Sequence, residues 1–229
     1  MSIQLINGLL GSATLLKALL DELKANKGTL VVIGVGYFAG DDNLIKEFGE
    51  ALRDWLAKSE SRRVCIFVGD WRDVDAATVE KNEASVRGLA VLQQVLEFDT
   101  RLQLVFIPEL HAKFYSVWTK QTLEWVSIGS SNFSKSALRE QNIELDLVFR
   151  SQDSCLVAIG RQLAGFIVAL HGQQTDDIGL ESAMTDVIDR NLEREYKIQA
   201  TTLARKTLAE RKEMLGAMAE SDRAQGISS

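Results

Sequence analysis

The chain is poor in proline, cysteine and histidine: its 229 residues hold one, two and two of them. A single proline beside 16 glycines excludes collagen-like and proline-rich sequence. Cys65 and Cys155 each lie inside an apolar run, so neither a disulfide framework nor a cysteine-rich zinc cluster can be built. No apolar stretch reaches the roughly 18 residues that a membrane span needs. Positive charge is not in excess either. The 26 Lys and Arg face 32 Asp and Glu, a net charge of −6, which argues against coating nucleic acid by bulk attraction. A local phosphate site remains compatible with it. What is present is 46% hydrophobic content over a length suited to one domain or slightly more, enough for a real core and too much for a disordered chain.

The N-terminal stretch 3–20 is fairly apolar, but no Lys or Arg precedes it and it runs straight into Asp21 and Glu22, unlike a signal peptide. It reads as an ordinary helix, and the protein is expected in the cytoplasm with reduced thiols. From Ser12, the expected N-cap, Leu15, Leu16, Leu19, Leu20 and Leu23 recur at helical spacing, and Gly28 closes the element. Residues 29–35 (TLVVIGV) and 63–68 (RVCIFV) read as buried strands, and 102–107 as a third. Between them lie a helix capped at Asp41-Asp42, carrying Leu44, Ile45, Phe48, Leu52, Trp55 and Leu56, and another over 83–96. Strands alternating with helices predict an α/β fold around a mixed, mostly parallel central sheet flanked by helices.

After Pro108 the rhythm changes. Strand-like segments at 112–118, 125–128 and 143–149 follow with no helix between them, the first two close enough for a hairpin. A last core helix, capped at Asp153 or Ser154, runs through Leu156, Ile159, Leu163, Phe166, Ile167 and Leu170 to Gly172. The expected organisation is a domain at 1–172 and a helical C-terminal extension at 173–229 with a frayed end. The extension mixes charge with Met184, Val187, Ile188, Leu192, Tyr196 and Leu203 at helical spacing, as an interaction surface does. Neither part is a basic tail: residues 1–152 hold 17 Lys and Arg against 20 Asp and Glu, and residues 153–229 hold 9 against 12.

Of the two histidines, His171 falls in the last turn of the final core helix, where an imidazolium suits the helix dipole, and reads as structural. His111 keeps different company. It opens a strand as His111-Ala112-Lys113, where alternation puts the His and Lys side chains on one face. A donor-rich turn, Gly129-Ser130-Ser131-Asn132, follows a later strand. The strand after that alternates, predicting Ile143, Leu145, Leu147 and Phe149 on a buried face and Asn142, Glu144 and Asp146 on the other. A carboxylate there needs a partner, and a histidine is one. The glycine-rich Gly34-Val35-Gly36-Tyr37-Phe38-Ala39-Gly40 misses the dinucleotide spacing by one residue and reads instead as a strand end near the site, with Tyr37 and Phe38 placed to touch substrate. Asp70-Trp71 is a similar strand-end loop.

His-x-Lys, then Gly-Ser-x-Asn, then a Glu on the next strand, in that order, resembles the phospholipase D superfamily, in particular its nuclease and restriction-endonuclease branch. The resemblance is concentrated in residues 110–149 (LHAKFYSV, IGSSNFS, NIELDLVF). That family usually carries an Asp five residues after the lysine; here the position is Trp118. The resemblance implies that His111 is a nucleophile forming a phosphohistidine and that Glu144 orients its ring. Lys113, Asn132 and Ser130 would hold phosphate oxygens. Ser131, Tyr37 and Lys135 are further substrate-binding candidates, and Lys120, Arg139 and Arg150 could extend a phosphate track. The chemistry requires no metal and no cofactor, and two histidines without cysteine help cannot make a His-rich zinc site.

The leaving oxygen needs a proton, for which relatives with two motif copies use a second histidine. With one copy here, the expectation is a homodimer bringing two His111 side chains across one site, His171 being the rival donor. The function expected is metal-independent phosphodiester cleavage in nucleic acid, most simply a DNA endonuclease, without membrane association. The C-terminal helices are the expected surface for a protein partner. Two alternatives stand beside it. A phospholipase would want an interfacial amphipathic segment, and none is visible. A catalytically inactive dimeric nucleic-acid-binding module fits Trp118 but not the retention of Lys113, Asn132 and Glu144.

Overall fold

The computed structural model describes residues 4–7, 14–39, 41–70, 76–108, 110–139, 144–151 and 153–173. Contacts divide the chain into two units, Met1–Met184 and Thr185–Ser229. The helical extension expected from 173 onward falls, save for its first residue, outside the described residues, as do Trp71, Asn142 and Ile143.

Seven strands form one sheet in the order β1-β9-β7-β6-β2-β4-β5. β2 (Leu30–Val35), β4 (Arg63–Asp70) and β5 (Leu102–Pro108) are parallel neighbours joined through α2 (Asp42–Leu56) and α3 (Ala76–Val95). These are the continuous β-branched runs that a strand covered on both faces requires. β6 (Phe114–Thr119) and β7 (Thr122–Gly129) form a hairpin, β9 (Leu145–Arg150) pairs with β7, and β1 (Gln4–Asn7) pairs with β9, all antiparallel; β6 also meets β2 antiparallel. The α/β class and the mixed sheet are as expected, but four of the six pairings are antiparallel, so the sheet is not mostly parallel. The reason is connection length: from Pro108 onward no helical crossover separates β6 from β7, and a hairpin can only be antiparallel.

The expected N-terminal helix is also corrected. Gln4–Asn7 is a strand, and α1 covers only Leu15–Lys24, capped by Thr14, whose hydroxyl accepts from the Lys17 amide at 3.0 Å. Pairing with the distant β9 decides the fate of 4–7, and no local pattern announces it.

Helix α2 packs against both α1 and α3 on one side of the sheet. The other face carries the cluster of Val32, Cys65, Phe67, Val105, Ile107, Phe114, Trp118, Leu123, Val126 and Phe149, covered by Leu156, Leu163 and Leu170 of α5 (Leu156–His171). Arg62 is buried at the end of α2, stacked 4.6 Å over the Trp55 ring and donating to the Asn26 carbonyl at 2.8 Å, so its charge is satisfied rather than stranded. A small parallel pair, β3 (Phe38–Ala39) with β8 (Phe133–Ser134), ties the end of β2 to the turn after β7, and β8 leads directly into the short helix α4 (Lys135–Leu138). There Phe38 stacks on Phe133 at 4.0 Å, with Phe48 tilted against the same ring at 4.9 Å.

Candidate active site

The predicted residues gather where the carboxyl end of β2 meets the start of β6 and the end of β7, the edge at which α/β sheets place ligands. Gly36 is the hinge of this arrangement. A Cβ at that position would lie 2.9 Å from the Leu110 carbonyl, 3.2 Å from Asn132 Oδ1 and 3.8 Å from Lys113 Nζ. Only the missing side chain lets the 110–113 segment, Asn132 and the strand end approach so closely.

Lys113 donates through Nζ to the His111 carbonyl at 2.7 Å, which folds its ammonium back beside the histidine. Burial pulls the Lys113 pKa below its usual 10.5, and the nearby Glu144 carboxylate opposes that shift. Asn132 Oδ1 accepts from the Tyr37 amide at 3.1 Å, so its NH2 group is the end that faces outward as a donor. Ser130 donates from Oγ to Glu144 Oε2 at 2.5 Å and accepts from the Leu145 amide at 3.0 Å, joining the turn to the foot of β9. His111 is exposed. The structure therefore sets Asn132 and Lys113 about Gly36 beside the Leu110 carbonyl, and ties Ser130 to Glu144, whose charge acts on Lys113, so that three separate segments meet at the stretch bearing His111. Trp118 is buried in the α5-side cluster, its indole N–H donating to Ser116 Oγ at 2.9 Å. In this chain the position serves packing.

Three expectations change. Ser131 was expected to touch substrate, but it is fully buried and its hydroxyl donates to Asp146 Oδ2 at 2.5 Å; alternation along the turn sends Ser130 and Asn132 outward and Ser131 inward. Lys135 is engaged by Asp41 at 2.9 Å, and Arg139 by Glu47 at 2.8 Å, so neither presents an open cation to a phosphate track. Over 145–147 the faces of β9 are the reverse of those expected: Asp146 is buried at 2% exposure and Val148, on the same face, at 0%, whereas Leu145 and Leu147 stand 55% and 40% exposed, and only Phe149 farther along is buried as expected. The apolar alternation was sound, but the polar phase points inward because Ser131 waits there to bond the carboxylate. Tyr37 reaches the site through its backbone, its carbonyl accepting from the Phe133 amide at 3.2 Å.

Asp146 is the functional candidate that residue type and spacing passed over. Burial raises its carboxyl above the ordinary value of 3.8; the Ser131 hydroxyl and amide oppose the rise, and Glu144 adds to it. Tyr115, fully buried nearby, donates its hydroxyl to the Ser131 carbonyl at 3.1 Å, and its pKa is pushed well up by burial and by the same two carboxylates. His171 ends α5, its ring meeting that of Phe67 at 4.9 Å between centroids. Among the described residues no three His, Cys, Asp or Glu side chains converge as a metal site would require, and no helix is long and apolar enough to cross a membrane.

No protein-family model matches the chain, and no curated protein matches it in sequence. Solved structures do. The chain is similar to a phospholipase D family member. That structure, Nuc from Salmonella typhimurium, is 16% identical with a TM-score of 0.48 over 76% of this chain and 96% of its own. NucT from Helicobacter pylori is 14% identical with a TM-score of 0.49, covering 76% of this chain and 98% of that one. A polyphosphate kinase from Porphyromonas gingivalis is also 14% identical with a TM-score of 0.49, but only 32% of it is covered, against 86% of this chain.

Proposed function

We propose that the protein is a metal-independent phosphodiesterase of phospholipase D type that cleaves nucleic acid, DNA in the first instance. The observation that carries this reading is the convergence of Lys113, Asn132, Ser130 and Glu144 on the segment bearing His111. A phosphodiester is anionic and hydrolyses slowly, so its catalyst must offset charge and supply a nucleophile. Lys113 and the Asn132 amide donate to the non-bridging oxygens. The neutral His111 imidazole attacks phosphorus, forming a P–N bond as the P–O bond to the leaving group breaks. Water then attacks the phosphohistidine, passing its proton to the imidazole that had protonated the leaving oxygen, and the P–N bond breaks to release His111. Glu144 steadies the imidazolium formed in the first step, while Ser130 holds Glu144.

The leaving oxygen takes its proton from a second imidazole, which in this reading is His111 of a second copy. The supporting feature is an apolar strip beside the site: Leu5, Leu147 and Ile128 lie side by side across β1, β9 and β7, 47%, 40% and 40% exposed, with Leu145 next along β9. Ile128 directly precedes Gly129 and Leu145 directly follows Glu144, so a copy seated on this strip arrives next to the catalytic residues. Exposed apolar patches of this kind mark interfaces.

The test is plasmid nicking in excess EDTA with wild type, His111→Ala and His171→Ala. Wild type and His171→Ala should nick, His111→Ala should not, and an acid-labile phosphoryl group should be trapped on His111. Loss of wild-type turnover on chelation would overturn the mechanism, and a sedimentation mass of one chain in active protein would overturn the dimer.

A further inference from the structure

A carboxylate held at 2% exposure within a sheet is costly to desolvate unless something compensates. Asp146 has an arranged compensation. In the β7–β9 register it faces Gly129, and a Cβ on Gly129 would sit 2.2 Å from Asp146 Oδ1 and 2.3 Å from the Leu145 carbonyl. The glycine that opens the 129–132 turn is thus vacated for this carboxylate. From that space Asp146 reaches the fully buried Ser131, accepting from its hydroxyl and, at 3.5 Å, from its amide. Tyr115 fastens the same residue from the opposite strand through its carbonyl. Ser131 is therefore gripped at hydroxyl, amide and carbonyl, and the two residues flanking it are Ser130 and Asn132.

We propose that Asp146, with Ser131 and Tyr115, forms a buried clamp that fixes the 129–132 turn, making Asp146 a positioning residue for the phosphate donor Asn132 and for Ser130, which holds Glu144. It touches neither substrate nor nucleophile. The alternation of the turn converts an inward grip on Ser131 into outward aim at its neighbours, and catalytic donors need placement to a fraction of an ångström. The proposal rests on the phosphodiesterase reading for the meaning of the turn, though the clamp itself is testable without activity.

The experiment compares wild type with Asp146→Ala, Asp146→Asn and Ser131→Ala in the full chain. Amide hydrogen exchange is read across residues 129–133, together with steady-state hydrolysis of bis(p-nitrophenyl) phosphate. Asp146→Ala should speed exchange of the Ser130 and Ser131 amides at least about tenfold while β7 stays protected. It should lower kcat by about 10- to 100-fold with little change in KM, the signature of misplaced transition-state donors. Asp146→Asn keeps an oxygen that accepts from Ser131 and should recover much of the kcat. If Asp146→Ala does not fold, Ser131→Ala carries the same readout with a smaller perturbation. Native exchange at 129–133 in Asp146→Ala or Ser131→Ala would overturn the clamp. So would a loss of kcat with no rescue by Asn. A wild type that turns over no phosphodiester would sink the functional reading and leave the exchange result to decide the clamp.

Discussion

In the parallel half of the sheet, β2 and β4 bury Val31, Val32, Ile33, Val35, Val64, Ile66, Phe67 and Val68, and with them Cys65, a side chain with reactive chemistry. Its thiol, pushed up to about 12 by burial, is inert at physiological pH. In the antiparallel half, the strands and the turn after β7 bury Tyr115, Ser116, Ser127, Ser131 and Asp146 among Val117, Trp125 and Val148. One half is a scaffold held by apolar burial. The other accepts buried polar groups, and the candidate site is assembled on it. The seam between them is β2 against β6, where Gly36 at one strand end and Lys113 at the other come together.

This division predicts that stability and activity separate by half. Phe67→Ala, which empties a fully buried ring position in the parallel half, should cost about 3–5 kcal/mol of stability yet leave kcat per folded molecule nearly unchanged at low temperature. Asn132→Ala should behave in the opposite way, lowering kcat by about 10²- to 10³-fold for a lost transition-state donor while the urea midpoint shifts little. If both variants lose activity in proportion to stability, the comparison fails and the site depends on the whole sheet.

The same contrast explains what could be read from residues alone. The parallel half was legible because TLVVIGV and RVCIFV admit no other reading in water, and the helices between them keep a 3.6-residue period. The place of the candidate site was legible through residue type and order at His111, Lys113, Asn132 and Glu144, which the fold gathers at one edge of the sheet. The phase of β9 was not, because Glu144-Leu145-Asp146-Leu147 alternates equally well either way up. Hydrophobicity favours the leucines inward, and only the presence of Ser131 and the gap at Gly129, both remote in sequence, reverses it. β1, β3 and β8 were invisible for a related reason: two to four residues carry no period, and long-range pairing alone makes them strands.

A buried carboxylate in only one half also gives the protein a pH signature. The native state holds the Asp146 proton more tightly than the unfolded chain does, with Glu144 and Tyr115 as its titratable neighbours. Between the ordinary value of 3.8 and the raised native value, folded protein binds more protons, so this group's contribution to stability is present at low pH and fades as pH rises through the native pKa. Asp146→Asn cannot titrate. Urea midpoints from about pH 3.5 to 7 should therefore show wild type losing stability relative to Asp146→Asn as pH increases. Parallel profiles would mean that the carboxyl ionises as it does in water.

The smallest effects sharpen the comparison most, because they ask whether partnering or mere burial governs polar groups in the antiparallel half. Ser116 and Ser127 are both fully buried. Ser116 donates to the Val32 carbonyl at 2.8 Å across the seam and accepts from Trp118, whereas the Ser127 hydroxyl has no hydrogen-bond partner among the described residues. Ser116→Ala strands an indole N–H and should cost about 1–3 kcal/mol, while Ser127→Ala removes a group that has already lost its water and should be neutral or stabilising by up to about 1 kcal/mol. Equal destabilisation by the two changes, read from urea midpoints at constant slope, would show that packing alone sets the tolerance. The bonds from Ser131 would then not be what lets Asp146 tolerate burial in the same strands.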